Sequence, residues 1–257
     1  TGISVQTLEN RTENRIDYQQ NKKQLNLETV TAFAAEELKN EEPITDEPVD
    51  EDWTTRFFNI AEDISNEEMQ ALWGRILAGE IKKPKSYSLR TLELLKNLSK
   101  EEAECFMKFC EAKVTSSNTQ FIYNQDNGKL LEDEFGISFS DRLLMTELGL
   151  ISSENNLEYS FNPTQQNKVT VLMNYGKKGI VLYRNENVPK QAIKVLLFTK
   201  TGIELSRLIE QKVNQNYMVK ICSSFIHKGV KIEYGDFIEA PNGQIMLLNK
   251  KEYVKTK

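Results

Sequence analysis

The residues most able to do chemistry are three cysteines and a single histidine. Cys222 and His227 lie close enough in sequence to suggest a thiol nucleophile beside a general base. Both fall on one predicted helix, 217 to 227, where a five-residue offset turns their side chains to different sides. Cys105 and Cys110 have the same offset and no CxxC motif or histidine pair, so they do not make a zinc ligand set. We therefore predict no catalytic residue, no metal site and no cofactor, and we expect reduced thiols in the core.

Two glycine-containing segments invite a phosphate-binding interpretation. They are GKKG, residues 176–179, and TKTG, residues 199–202. Neither has the spacing of a P-loop or a dinucleotide fingerprint, and both suit a turn or a helix start. His227 precedes Lys228-Gly229 and is predicted to interact with the last carbonyls of its helix. None of these residues indicates catalysis.

Charge is distributed unevenly along the chain. Residues 160–257 contain 16 Lys and Arg against 7 Asp and Glu, a balance of +9, whereas residues 1–159 contain 17 against 31, a balance of −14. A basic half can bind nucleic acid, and the candidate residues are five lysines: Lys177, Lys178, Lys190, Lys194 and Lys200. The region has only two arginines, and a solvated or interdomain basic face explains the same balance.

The sequence predicts four helices between Trp53 and Phe109, which would form the scaffold of the N-terminal half. The first follows the acidic run 49–52, and capping boxes start the second at Ser65 and the fourth at Ser99. Gly79 is predicted to end the second helix, and Ser88 to cap the third. Their apolar residues recur at helical spacing, which predicts a compact helical bundle. We expect the aromatic residues Trp53, Phe57 and Trp73 to pack in its core.

The segment from Glu51 to Phe106, EDWTTRFFNIAEDISNEEMQALWGRILAGEIKKPKSYSLRTLELLKNLSKEEAECF, resembles the bacterial domain-of-unknown-function family DUF2806. LLFTKTGIEL, 196–205, and the stretch 217–237 resemble the C-terminal half of that family. A looser likeness, carried by LWGRILAGE and LLMTELGLI, links the chain to the Abi-alpha abortive-infection family of phage-defence proteins. The residues taken as the structural signature of the family are Trp53, Phe57, Trp73, Gly79 and Pro84. The resemblance implies a bacterial cytoplasmic protein with a role in defence, and it carries over no catalytic residue.

Two predicted segments precede the bundle. Residues 4–23 are polar with a sparse apolar set and need a partner to be stable as a helix, whereas Leu27 to Leu38 make a better apolar stripe with Asn26 as its cap. Residues 1–40 are therefore a candidate arm for oligomerisation or partner binding, and packing back on the bundle is the alternative. The acidic, proline-containing stretch 40–52 is predicted to be a linker.

After Lys113 the pattern changes to short strands between turn signals. We predict strands at 121–123, 150–151, 157–161, 169–175, 180–184, 196–199, 230–238 and 244–248. Helices are predicted after Ser140, from Thr201 to Val213 and from Tyr217 to His227. A helix followed by the hairpin 150–161 resembles the end of a winged helix, although the same order describes a purely structural unit.

The fold class predicted is α+β: a helical bundle followed by a small, mostly antiparallel sheet with packed helices. We predict three regions along the chain. Residues 1–49 are the N-terminal arm and linker, 50–113 are the four-helix segment, and 114–257 are a basic α+β domain. With 257 residues, 28% charged and 39% hydrophobic, the chain has the composition of a soluble globular protein, and no apolar run approaches the ~20 residues of a membrane span. Because it opens with Thr1, a preceding effector or membrane segment is compatible with the sequence.

The function predicted is a non-enzymatic protein-binding or regulatory module, with phage defence as its biological setting. We expect a homo-oligomer or a protein partner in the cytoplasm, and no membrane contact through this chain. The alternative is a nucleic-acid-binding regulator that uses the basic C-terminal half. An enzyme would require a pocket that gathers residues from distant positions.

Overall fold

The chain divides into two compact units, Thr1–Asn97 and Leu98–Lys257. The computed structural model describes residues 7–39, 47–154, 157–161, 169–184, 191–227, 229–239 and 245–254. The described helices are α1 Leu8–Leu38, α2 Glu51–Ala61, α3 Glu67–Lys82, α4 Leu89–Asn97, α5 Lys100–Glu111, α6 Lys129–Phe135, α7 Phe139–Glu147, α8 Lys200–Ser206 and α9 Gln215–Ser224. The described strands are β1 Lys113–Ser116, β2 Thr119–Tyr123, β3 Leu157–Phe161, β4 Val169–Tyr175, β5 Lys178–Arg184, β6 Gln191–Leu197, β7 Val230–Glu239 and β8 Ile245–Glu252. The predicted α+β fold is confirmed.

Helix α1 runs unbroken through the position predicted as a helix start. Asn26 is buried in mid-helix, so its prediction as a cap is wrong. Its Nδ2 donates to the Glu62 carbonyl at 2.7 Å, and its Oδ1 accepts from Gln70 Nε2 at 3.1 Å. Val30 and Ala34 continue the buried side of α1, and Phe33, Ala34 and Val30 lie so close to Gly74 of α3 that a Cβ there would clash. The second half of α1 is thus packed against α3.

Aromatic residues form the core of the first unit. Trp53 stacks on Phe57 with ring centroids 5.0 Å apart, and Phe57 lies 5.3 Å from Trp73. All three side chains are buried. Helix α2 begins as the acidic run predicts, because Asp50 accepts from the Trp53 N–H at 2.9 Å. Helix α3 is capped by Asn66 rather than by Ser65, one residue later than predicted.

The turn after α3 is held by side chains of α2 and α3. Gly79 does not end α3: it lies within the helix, and a Cβ there would stand 2.9 Å from the Tyr87 ring. Buried Glu80 accepts from the backbone N–H groups of Lys85 at 2.5 Å and Tyr87 at 2.9 Å. Trp53 Nε1 donates to the Tyr87 carbonyl at 2.8 Å. The turn that contains Pro84 is therefore fixed from both α2 and α3.

The second unit is built on one eight-stranded antiparallel sheet with the order β3-β6-β2-β1-β4-β5-β7-β8. The hairpin predicted around GKKG is β4 and β5, joined at Gly176 and Lys177. The hairpin predicted within 150–161 does not form. Ile151 instead makes a single bridge to Phe198, and β3 pairs with β6 from Leu157↔Val195 to Phe161↔Gln191.

The second unit contains an element with the connectivity of a winged helix. It is made of helices α5, α6 and α7 with strands β2, β3 and β6. Their chain order is helix, strand, helix, helix, strand, strand, and β6 lies between β3 and β2 in the sheet. Gly136, with φ 63°, ends α6, and Ser138 caps α7 through a capping box with Asp141. The cap lies at Ser138 rather than at Ser140 because Asp141 returns a hydrogen bond to the Ser138 N–H. The hairpin β4–β5 is inserted where a winged helix would have its wing.

The predicted helices after β6 are shorter than expected. Helix α8 ends at Ser206 rather than at Val213, and α9 ends at Ser224 with Phe225 as its cap residue. Residues 241–243, between the strands predicted at 230–238 and 244–248, and part of the predicted linker, 40–46, lie outside the described residues. Helix α5, predicted as the last helix of the four-helix segment, belongs to the second unit. The predicted division into three regions stays a prediction.

Candidate interaction sites

The lysines predicted to bind nucleic acid are mostly paired with carboxylates. Lys177 Nζ lies 3.2 Å from Glu210, Lys178 Nζ lies 2.6 Å from Asp236, and Lys200 Nζ lies 3.8 Å from Glu204. Lys194 is exposed on β6, and Lys190 lies outside the described residues. Each of the three ion pairs cancels charge that a phosphate backbone would otherwise meet. The role of these lysines stays a prediction.

Cys222 and His227 do not share a site. The thiol is buried, whereas His227 is exposed two residues after Phe225, the cap residue of α9. Its predicted interaction with the last carbonyls of that helix stays a prediction. Cys105 and Cys110 are also buried and free, as predicted. Burial raises the pKa of the Cys222 and Cys110 thiols to about 12, which keeps them protonated and unreactive. Within the described residues, no group of three or more His, Cys, Asp or Glu side chains is arranged to hold a metal ion.

The first half of α1 is an exposed helical arm. We define the arm as residues 8–22, about four turns of helix. All of its side chains are exposed except Thr12, which is half-buried. Leu8 is 72% exposed and Ile16 is 46% exposed, although both lie on the side of α1 that Val30 buries further along. We define the stripe of the arm as Leu8, Thr12 and Ile16, which lie on the side of α1 that is buried in its second half.

Charges of opposite sign lie on the two sides of this stripe. Glu9 and Glu13 flank it on one side, and Arg11 and Arg15 flank it on the other. These side chains are exposed. The arm thus presents an apolar stripe with an acidic border and a basic border, which is the pattern of a helix that pairs with another helix.

A second candidate site lies in the winged-helix element. It is a cleft of about 420 Å³, within the range of small-ligand sites, between α7, the loop after β2 and the segment after α7. Its walls include Asn124, Phe139, Arg142, Leu143, Ser152 and Ser153. Phe139 is 65% exposed and Leu143 is 55% exposed, one helical turn apart. Among the residues of α7, Met145 is the buried one.

The position of Arg142 is fixed by the loop opposite. Its Nη1 donates to the Asn127 carbonyl at 2.9 Å, and its guanidinium lies 5.6 Å from the centre of the Phe139 ring. Asp126, Asn127 and Gly128 all have positive φ values, of 52°, 55° and 97°. This left-handed turn brings the carbonyl of Asn127 to the arginine, and neither residue was identified from the sequence as functional. The signal available was the turn sequence Asp126-Asn127-Gly128, which predicts only a tight turn.

Asn124 has a buried polar atom without a partner. Its backbone N–H donates to the Lys194 carbonyl at 2.9 Å, and the residue is 8% exposed. Its Oδ1 accepts no hydrogen bond from any described residue. Buried acceptors are nearly always satisfied, and Asn124 also lines the cleft, so we take its amide as a candidate recognition group. The sequence does not indicate that Asn124 is buried, because its burial depends on contacts with distant residues.

No described helix is both long and apolar enough to cross a membrane. No curated protein matches the chain, and no solved structure does. The match that exists is to a family model and covers most of the chain. That model matches residues 10–222, and the chain therefore belongs to the family described as "Protein of unknown function (DUF2806)".

Proposed function

We propose that the protein is a non-enzymatic binding module that associates with a second copy of itself through the arm, residues 8–22. The observation that carries this proposal is the exposure of Leu8 and Ile16 on the same side of α1 as buried Val30. Short helices without tertiary packing are only marginally stable in water. A second arm laid against the stripe would cover both apolar side chains.

The charges of the arm favour one orientation of the pair. In a parallel pair, the acidic border of one arm faces the basic border of its partner, so Glu9 and Glu13 lie beside Arg11 and Arg15. In an antiparallel pair each border faces its own copy, and like charges repel. The parallel arrangement also places Leu8 against Leu8 and Ile16 against Ile16 of the partner.

Light scattering on the purified full-length chain tests this proposal. We expect a mass of twice 29.7 kDa for the native chain and a monomer for Ile16→Lys. Asn14→Lys is the matched control, because Asn14 is exposed on the opposite side of the arm and should leave the dimer intact. A monomeric native chain at tens of micromolar would refute self-association through the arm.

The nucleic-acid-binding regulator remains the second candidate function. The balance of +9 in residues 160–257 and the exposure of Lys194 favour it, whereas the carboxylate partners of Lys177, Lys178 and Lys200 weaken it. Absorbance at 260 and 280 nm on the light-scattering peak separates the two candidates. Co-purifying nucleic acid that is lost at high salt would promote the basic half, and Lys177→Gln with Lys178→Gln should then weaken retention.

A role in phage defence is the biological setting that we propose for this module. It is supported only by the resemblance to the Abi-alpha family. The test compares phage plaque formation on bacteria that carry the native protein, Ile16→Lys or Asn14→Lys. Protection by the native chain and by Asn14→Lys, but not by Ile16→Lys, would connect defence to self-association.

A further inference from the structure

The cleft beside α7 is independent of the arm and presents three kinds of recognition group. Arg142 supplies a cation, Asn124 supplies an amide with an unpaired acceptor, and Phe139 with Leu143 supplies an exposed apolar surface. These residues come from α7 and the loop after β2, both in the second unit. The cation, the amide and the apolar surface together select the chemical class of ligand that the cleft can bind.

The charge of the segment that supplies Arg142 favours a ligand with one negative charge. The segment 126–147 contains two basic residues, Lys129 and Arg142, against six acidic ones, a balance of −4. Arg142 is held by a carbonyl and an aromatic ring rather than by a carboxylate among the described residues. Its guanidinium therefore keeps its charge and most of its N–H donors for a ligand. One cation can pair with a single carboxylate, whereas the repeated phosphates of a nucleic acid need several cations, which this segment does not supply.

The amide of Asn124 specifies a second feature of the ligand. Its Oδ1 needs an N–H or O–H donor, which a carboxylate does not have. A ligand that satisfies both residues must carry a donor close to its carboxylate. An acylated amino acid has this pattern, because its amide N–H and its carboxylate are attached to the same carbon.

We propose that the cleft binds the terminal carboxylate of an acylated apolar amino acid, with the carboxylate on Arg142, the amide N–H on Asn124, and the side chain on Phe139 and Leu143. A peptide C-terminus and a free N-acyl amino acid share this chemistry. Bidentate binding of a carboxylate by a guanidinium is a strong and directional interaction. The stacking of Arg142 on Phe139 orients the guanidinium before the ligand arrives.

Binding to the full-length chain is measured by calorimetry with N-acetyl-L-phenylalanine as the probe. Its methyl ester is the matched ligand, since it keeps the amide and the ring but lacks the charge. We expect saturable binding of the acid and at least about tenfold weaker binding of the ester. Equal binding of acid and ester, or no saturable binding of the acid, would overturn the proposal.

Variants test the residues assigned to the ligand. Arg142→Met should weaken binding of the acid at least about tenfold and leave binding of the ester unchanged. Lys129→Met is the matched control, because it removes an exposed charge from the same segment. An equal loss in both variants would show that only net charge matters and would overturn the assignment. The comparison of acid with ester on the native chain does not depend on how well either variant folds.

Two further probes test whether the ligand is a peptide C-terminus or a free N-acyl amino acid, and whether nucleic acid binds in its place. Acetyl-Gly-Gly-Phe with a free carboxylate should bind more tightly than N-acetyl-L-phenylalanine if the cleft takes a peptide C-terminus, and equally if it takes the free acyl amino acid. A single-stranded oligonucleotide that displaces the acid would overturn the proposal in favour of nucleic acid. Arg142→Met should leave the mass measured by light scattering unchanged, so failure of this proposal is distinguishable from failure of self-association.

Discussion

The guanidinium of Arg142 occupies the space that a side chain at Gly128 would need. A Cβ built on Gly128 would stand 1.1 Å from Nη1 of Arg142. Gly128 also has a φ of 97°, which side chains rarely adopt. Gly128 therefore leaves room for the guanidinium and adopts the left-handed backbone of the turn, and both features serve the placement of a single cation.

Gly128→Ala should displace Arg142 and strain the turn. We expect a loss of about 2–4 kcal/mol in the free energy of unfolding, since backbone strain adds to the clash. Urea denaturation measures the loss. The matched control is Gly136→Ala, where φ is 63° but nothing lies within 4 Å of the added Cβ. That variant should lose only about 1–2 kcal/mol from backbone strain. Equal losses would mean that the arginine moves aside freely.

Reversing the charges on the borders of the arm should abolish self-association and allow pairing between variants. A chain with Glu9→Lys and Glu13→Lys has two basic borders, and a chain with Arg11→Glu and Arg15→Glu has two acidic ones. Each should be monomeric alone because like charges face each other, and an equimolar mixture should form a dimer. Light scattering of the three samples checks this. A dimer in either single sample would contradict the proposed borders.

Removing the hydroxyl of Tyr217 should destabilise the second unit. This hydroxyl accepts from the Tyr123 N–H at 2.8 Å and lies 3.1 Å from the Ala112 carbonyl oxygen, at the centre of the core. Tyr217→Phe leaves these buried backbone groups unpaired, which should cost about 1–3 kcal/mol at neutral pH. Tyr18→Phe is the control, since Tyr18 is exposed and should change stability little. Chemical denaturation of both variants provides the comparison.

The same hydroxyl should make stability fall in alkaline solution. Burial raises the pKa of Tyr217 well above its ordinary value and that of Tyr175 to about 12. An unfolded tyrosine loses its proton near pH ~10, so the stabilisation is complete below that pH and decreases as pH rises above it. Each such group contributes up to about 1.4 kcal/mol per pH unit above that point. The slope between pH 10 and 11 should be smaller for Tyr217→Phe, and an unchanged slope would count against this account.

The three thiols should react only when the protein unfolds. Burial raises the pKa of Cys105 to about 11, and that of Cys110 and Cys222 to about 12, so the reactive thiolate is scarce at pH 8. Alkylation with iodoacetamide, followed by mass spectrometry, should label none of them in the native chain and all of them in urea. Rapid labelling of Cys222 under native conditions would show that α9 opens locally.

Glu80 should be important for the stability of the first unit. Glu80→Gln replaces one acceptor with an amide donor that faces a backbone N–H, so we expect a loss of about 2–3 kcal/mol. Glu93→Gln on the exposed side of α4 is the matched control and should stay within about 0.5 kcal/mol of the native chain. Thermal unfolding of the two variants tests the difference. Equal melting temperatures would show that the turn after α3 holds without Glu80.

The starts of α2 and α5 were predicted at the right residues, whereas the caps of α3 and α7 lie one and two residues away from the predicted ones. Asp50 and Ser99 cap their helices as the sequence indicates, because a cap involves residues only three apart. Gly79 was misinterpreted because the reason for glycine there is the ring of Tyr87, which packs against α3 after the chain has turned. A local rule for helix ends cannot include that contact.

Strand positions were easier to predict than strand partners. The sequence predicts the strand Leu157–Phe161, but its residues pair with β6, 30 to 38 positions further along the chain, rather than with the adjacent Leu150–Ile151. The cleft depends on another distant pairing, that of β2 with β6, which places Leu196 opposite Ile122 and so beside Asn124. The arm could be predicted from the sequence, because a polar segment with few apolar residues is stable as a helix only with a partner.

Strand β7 has a consequence for how relatives of this protein should be produced. Every residue of β5, from Lys178 to Arg184, is paired with β7, yet the family match ends at residue 222, before β7 begins. A fragment trimmed to that limit would leave β5 as a bare edge that can pair with other copies, and it should precipitate on expression. The unit of sequence similarity is thus shorter than the sheet, and fragments of related chains should be cut after the last strand of the sheet.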